Sequence, residues 1–203
     1  MNALRFTIEE IRLHERDVTL RLPFRFGIVT LREAPQAFVR CRIRTEDGRE
    51  GWGVAAELMV PKWFDKNPDL SNEDNFNQLR RALGLYADAM LAGGLNTAFG
   101  HYAAHYDSHL ATSAGDGLNP LVAGFGPALI DRAAMDALCR IGGLSLAGAV
   151  SAGLAGIEPA MLLPEFEGFD MPGFLGALEP STEIAARHTI GMVDPLTAAD
   201  QPA

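Results

Sequence analysis

The sequence predicts an α+β fold in which a three-stranded antiparallel meander is followed by a helical bundle. Three observations predict it. Over the first 55 residues, apolar side chains recur at every second position, the period of a strand with one wet face. From about residue 71 the apolar period becomes that of a helix. After a stretch rich in Pro and Gly, the chain returns to a short β-like run, RHTIGMVDP.

The meander is read strand by strand. Leu4, Phe6 and Ile8 alternate with polar residues. The phase slips at Glu9-Glu10 and resumes with Ile11 and Leu13, which predicts a bulge. Val18, Leu20 and Leu22 alternate with Thr19 and Arg21. In FVRCRIR, Val39, Cys41 and Ile43 face one way, and Arg40, Arg42 and Arg44 the other. Asp47-Gly48 predicts a turn, and Glu50 to Gly53 a short third strand. The Arg row is expected to be solvated, because exposed charges usually lack a specific partner. Trp52 is expected in the core.

The helices follow. Ser71 and Asp74 predict a capped start, with Phe76, Leu79, Leu83, Tyr86 and Met90 on one stripe and Gly93-Gly94 at the end. A second helix is expected from about Thr97 to Ala111, with His101, His105 and His109 flanking its stripe of Phe99, Tyr102, Tyr106 and Leu110. After a glycine-rich break that includes Asn119-Pro120, Pro127 is expected to open a third helix from its first position. Leu129, Ile130, Ala133, Ala134, Ala137, Leu138 and Ile141 give that helix an apolar stripe wide enough for burial on most sides. Asp131, Arg132, Asp136 and Arg140 form its narrow polar face. Gly142-Gly143 ends it, and Ser145 caps a short helix to about Leu154. Residues 156–180 are expected to form a surface loop with one helical turn around Phe174. His188 to Val193 is read as a buried strand, with a weak helix start at Thr197 and Asp200.

Bulk properties bound the function. The chain has 203 residues, 48% of them apolar and 21% charged, with a formal net charge of −9. That acidity argues against nucleic acid, whose phosphates need clustered Lys and Arg. No apolar run reaches the roughly 20 residues that cross a bilayer, so no membrane partner is expected. The charged N-terminus is unlike a signal peptide, and the two cysteines, Cys41 and Cys139, belong to no CxxC pair. A cytoplasmic protein with buried thiols is expected.

HYAAHYDSH places His101, His105 and His109 four residues apart on one helix, a spacing at which two histidines can bind zinc. The glutamate of an HExxH site is missing, since Tyr102 follows His101. The expectation is therefore structural, with the rings donating to carbonyls or water. Nucleophile elbows and phosphate-binding glycine loops are absent from the sequence.

Several segments resemble the enolase superfamily, in its mandelate racemase and muconate lactonizing group. The LPFRFG segment, the VRCRIRTEDG strand and turn, and the following GWG look like its N-terminal capping region. GPALIDRAAMDALCRIGGLSLAGAV looks like the helix leading into its barrel, and RHTIGMVDP like the first strand of the (β/α)8 barrel. Residues 58–118 and 156–180 fit less well. The resemblance implies a capping domain over residues 1–186 and the start of a truncated barrel over 187–203.

The resemblance also implies a chemistry: proton abstraction next to a carboxylate, with an enediolate held by Mg²⁺. The outcome would be dehydration, racemisation or cycloisomerisation. The Lys base and acidic Mg²⁺ ligands of the family lie on later barrel strands and have no counterparts here. The chain alone is thus expected to carry no catalytic residue and no bound metal. It would keep the two cap loops that help choose a carboxylate-bearing small molecule, matched by Pro23 to Thr30 and Val54 to Lys62. Phe24, Phe26 and Ile28 are the implied apolar walls, and Arg25 or Glu57 the implied polar contact. The alternative is a stand-alone binding or interaction module without catalysis. Residues 187–203 are expected either to be mobile or to mediate a homo-oligomer.

Overall fold

The computed structural model describes residues 3–27, 29–179, 181–187, 189–191 and 194–200. Three strands form one antiparallel sheet in sequence order: β1 (Phe6–Phe26), β2 (Val29–Thr45) and β3 (Glu50–Leu58). The register slips between Ile8 and Glu10, where the apolar phase breaks. The hairpin is longer than the alternation indicates. β1 and β2 stay paired through Arg16 with Gln36 and, after a second slip, to Phe26 with Val29. Within the stretch Pro23 to Thr30, expected as a loop, Phe24 to Phe26 pair with Val29 to Leu31 as the tip of a hairpin turning at Gly27, whose φ of +52° suits glycine. The other turn runs through Gly48 at φ +87°. There Asp47 accepts from the Thr45 hydroxyl and the Arg49 guanidinium, and these bonds hold its carboxyl well below the usual range.

Val39, Cys41 and Ile43 point inward and are fully buried. Burial pushes the Cys41 thiol up to about 12, so it is an inert core group. Six helices follow: α1 (Asn72–Leu91), α2 (Ala98–Gly115), α3 (Pro120–Ala123), α4 (Phe125–Gly142), α5 (Leu146–Ser151) and α6 (Met171–Gly176). α4 packs on β2 and β3 and α1 on β1, while α2, α3 and α5 pack on these helices and α6 on α5. α1 buries the expected stripe. Its start is a capping box, in which Ser71 Oγ accepts from the Asp74 N–H at 3.1 Å and Asp74 accepts from the Ser71 N–H at 2.8 Å. Ser71→Ala should cost about 1 kcal/mol in urea unfolding with an unchanged m value.

α4 supplies the main cover. Its wide apolar stripe is buried against β2, β3 and α1. Gly51 and Gly53 occupy the inward positions of β3 because α4 comes so near. A Cβ on Gly53 would lie 2.0 Å from the Ala133 carbonyl oxygen. Trp52 consequently faces outward, beneath Arg12, Arg40 and Arg42, and not into the core. The Arg row is not merely solvated either: Arg42 pairs with Glu10 and Glu50, and Arg44 with Glu9 and Glu50.

Other boundaries moved. Pro120, expected in a break, is the proline at a helix start, with Asn119 as its cap, while Pro127 is the third residue of α4. α5 stops short of Leu154. Gly143, at φ +63°, ends α4 in the left-handed conformation. Residues 156–179 hold two 3-10 turns, Pro159–Met161 and Pro164–Phe166, and then α6 around Phe174.

The expected strand His188 to Val193 lies partly outside the described residues, which omit His188, Met192 and Val193. Thr189, Ile190 and Gly191 are in no strand, and Ile190 is 62% exposed. Among the described residues no strand runs beside them, so they have no ladder to join. Thr197 and Asp200 do form the expected capping contact, at the 3-10 turn Ala198–Asp200.

Candidate functional site

The hairpin tip and the end of β3, far apart in sequence, meet at one end of the sheet. The tip brings Phe24 and Phe26, and β3 brings Glu57 and Leu58. The next turn is pinned at Lys62, whose φ is +60°: its N–H donates to Asn75 Oδ1 at 3.0 Å, and its ammonium to the carbonyls of Asn67 and Leu70. Between these segments and the corner of α3 and α4 lies a cleft of about 560 Å³.

The cleft is mostly apolar. Phe24, Phe26, Trp63 and Phe64 form one side, and Leu121 and Phe125 belong to the other. The Phe26 and Trp63 rings meet edge-on at 5.4 Å, as do those of Phe64 and Phe125. Among the described residues, Glu57 is the one ionisable side chain in the lining. An apolar body with a few polar groups at one end suits such a shape.

Strand alternation sorts the residues singled out from the sequence. Phe24, Phe26 and Glu57 line the cleft together. Arg25, paired with Thr30, sits between the two phenylalanines in the strand and is exposed on the opposite face, so it does not line the cleft. Reading Pro23 to Thr30 as a loop hid that alternation. Ile28 lies outside the described residues. Gly191 is buried against the Phe24 ring, so closely that a Cβ there would come within 2.8 Å of it.

Arg132, missed by the sequence reading, controls Glu57. Its Nη2 donates to Glu57 Oε2 at 3.1 Å and to the Ala56 carbonyl at 3.3 Å. Beyond this pair opens a second cleft of about 500 Å³ that includes Tyr102, Tyr106 and Asp131. An anionic ligand at the divide would compete with Glu57 for the guanidinium. The two residues lie 75 positions apart, and nothing in either local pattern signals their meeting.

Asp131 and Asp136, on the narrow polar face of α4, both bond to neighbouring elements. Asp136 accepts the Val54 N–H at 2.9 Å and thereby joins α4 to the sheet. Asp131 is partly buried and accepts from the Tyr86 hydroxyl at 3.1 Å. Burial pushes its carboxyl up to about 7, against the opposing effect of that hydrogen bond.

The histidine helix turns His101 and His109, and not its tyrosines, to the core, and His105 is half-buried. His101 and His109 are buried, whereas Phe99, Tyr102, Tyr106 and Leu110 are half-buried. His101 Nε2 bonds the Phe6 carbonyl at 2.8 Å, and His109 Nε2 the Ala123 carbonyl at 2.8 Å. Each ring also packs on an aromatic, Phe6 and Tyr86 respectively. Burial lowers the pKa of His101 and of His105, which favours their neutral forms. Calorimetric Zn²⁺ titration should give binding weaker than about 10 μM. A tighter site lost in a His101→Ala, His105→Ala double variant would overturn the structural role.

Among the described residues, no three His, Cys, Asp or Glu side chains converge to hold a metal ion. Mg²⁺ thus finds no ligand set among them. No helix among them is long and apolar enough to cross a membrane.

No family model matches the chain, and no curated protein does. Among solved structures it is similar to an enolase from alpha pretobacterium bal199 with bound Mg, at 20% identity over 70% of this chain and 33% of that one, with a TM-score of 0.45. It is also similar to proteins described as mandelate racemase/muconate lactonizing enzymes. The one from Roseovarius nubinhibens ISM is 22% identical over 70% of this chain and 33% of that one, TM-score 0.40. The one from Sorangium cellulosum is 21% identical over 71% and 34%, TM-score 0.38. The chain spans about a third of the length of the solved structures it matches.

Proposed function

We propose that this chain is the substrate-capping portion of a Mg²⁺-dependent enzyme of the enolase superfamily, in its mandelate racemase and muconate lactonizing group. Residues 1–186 are the cap in this reading, and a (β/α)8 barrel begins at 187. The proposed enzyme is cytoplasmic and removes a proton next to the carboxylate of a small molecule. The base and the metal ligands belong to the barrel, so this chain is inactive alone. The cap holds the apolar part of the substrate against Phe24 and Phe26 and excludes water from it.

One observation carries the reading: the two stretches implied as cap loops contribute Phe24, Phe26 and Glu57 to a single cleft. Gly191, in the proposed first barrel strand, lies against Phe24 and supports it. A second reading, a stand-alone small-molecule-binding module, is favoured by α3 and α4, which wall the cleft with Leu121 and Phe125 of this same chain.

Two measurements separate them. With Mg²⁺ present, the 203-residue chain should turn over no member of a hydroxy-carboxylate panel. The DNA after the Ala203 codon should encode Lys and spaced Asp and Glu at the ends of further strands. Unrelated downstream sequence, or turnover by this chain alone, would sink the capping reading. An apolar carboxylate that quenches Trp63 with Kd below about 100 μM, and fails to do so in Phe26→Ala, would establish the stand-alone module.

A further inference from the structure

The outer face of the sheet combines cations with exposed apolar surface. The guanidinium carbons of Arg40 and Arg12 stand 4.7 and 5.1 Å from the centre of the Trp52 ring, and that of Arg16 stands 5.3 Å from Phe38. Val54 beside them is 49% exposed. Glu9, Glu10 and Glu50 already neutralise Arg42 and Arg44. Arg40 forms neither an ion pair nor a side-chain hydrogen bond among the described residues, and Arg16 bonds only the neutral Gln36. Stacking over rings fixes these guanidinium groups in place and leaves their N–H donors open.

A segment of the same chain has the complementary character. Glu158, Glu165, Glu167, Asp170 and Glu179 are exposed, and no Lys or Arg occurs between residues 156 and 186. Their carboxylates form no ion pair among the described residues. In their midst Phe166, Phe169 and Phe174 make a small aromatic knob, with centroids 5.7 and 5.8 Å apart in succession. Phe169 and Phe174 are 47% and 51% exposed.

We propose that the Arg16–Arg40–Trp52 face of one copy binds the acidic, phenylalanine-bearing segment 158–179 of a second copy. Carboxylates meet the open guanidinium donors, and the phenylalanines cover Trp52, Phe38 and Val54. The face is separate from both clefts described above, neither of which Arg40 or Trp52 lines. Nucleic acid fits it poorly, with Glu9, Glu10 and Glu50 set among the arginines and a net charge of −9. Two copies can make the contact twice, reciprocally, as a two-fold pair, or once each, head to tail, as a ring or a growing chain. This inference does not rest on the capping reading.

Sedimentation of the full chain tests it. At about 20 mM salt the mass should rise with concentration above the 21.8 kDa monomer, and at about 0.5 M salt it should fall back. The Arg16→Glu, Arg40→Glu variant should weaken association at least tenfold. So should Glu165→Arg, Glu167→Arg, although it reduces the net negative charge and would promote association if general repulsion governed it. Each reversed variant alone should be monomeric, and an equimolar mixture should associate, because each reversed patch then meets a complementary one. Circular dichroism confirms that both are folded. A wild-type monomer at about 200 μM in low salt, wild-type-like association of either variant, or a mixture of folded variants that stays monomeric would each overturn the proposal.

Discussion

Gly53→Ala is expected to destabilise the fold by about 3 kcal/mol or more, among the largest effects available to a single methyl group. The added carbon would meet the Ala133 carbonyl oxygen at 2.0 Å, the Ala137 nitrogen at 2.2 Å and the Ala137 Cα at 2.9 Å. All three are helix backbone, so no side chain can rotate away. Relief requires α4 to leave β3, which also strains the Val54–Asp136 hydrogen bond and the contact of Arg132 with Ala56. Gly84→Ala is the matching control. It lies within α1 with nothing within 4 Å of a new Cβ, and should gain about 0.5–1 kcal/mol from helix propensity. Equilibrium urea unfolding reads both. A Gly53→Ala variant within about 0.5 kcal/mol of wild type would mean that α4 does not sit this close to the sheet.

The second large effect depends on pH. Asp131 has its carboxyl raised to about 7 in the folded chain, against an ordinary value of 3.8. Below about pH 4 it is protonated in both folded and unfolded states and costs nothing. Between about pH 4 and 7 the unfolded chain releases this proton while the folded chain keeps it. Unfolding therefore becomes easier as pH rises, and above about 7 the penalty is constant. The rise from 3.8 to about 7 corresponds to a penalty on the order of a few kcal/mol. Asp131→Asn keeps an acceptor for the Tyr86 hydroxyl and removes the charge. It should flatten the stability slope between pH 4 and 7 and stabilise the protein by a few kcal/mol at pH 8. Chemical denaturation at pH 4, 6 and 8 checks this. An unchanged slope would mean that Asp131 ionises freely in the folded protein.

Local periodicity made much of the fold legible. Val39, Cys41 and Ile43 announced the buried strand face, the Glu9-Glu10 slip announced the bulge, and Ser71 with Asp74 announced the first helix. Each signal concerns residues within a few positions of one another. What stayed hidden was non-local. His14 to Asp17, polar and exposed, are held as strand by pairing with Pro35 to Phe38 across the sheet. Histidine in the buried stripe of α2 depends on the Phe6 and Ala123 carbonyls, which periodicity does not place. Trp52 faces outward because its flanking glycines admit α4, a helix about eighty residues later.

The candidate site divided in the same way. Phe24, Phe26 and Glu57 came from motif resemblance, and the cleft brings them together. Arg25 lies outside the lining because alternation in the paired tip turns it to the opposite face, which a loop reading of that stretch does not reveal. Arg132 carries no signal beyond a position on a polar helix face, and its partner Glu57 is visible only in three dimensions.

The late arrival of α4 has a consequence for synthesis on the ribosome. The sheet is complete at Leu58, whereas the helix that covers β2 and β3 ends at Gly142. At about 5–20 residues per second, the nascent meander waits roughly 4–17 s for that cover. Throughout that interval Val39, Cys41 and Ile43 lack the helix that finally buries them, and both outer strands offer unpaired edges. The meander is therefore a client for chaperone capture during translation. Codon choice between residues 59 and 142 sets how long that exposure lasts.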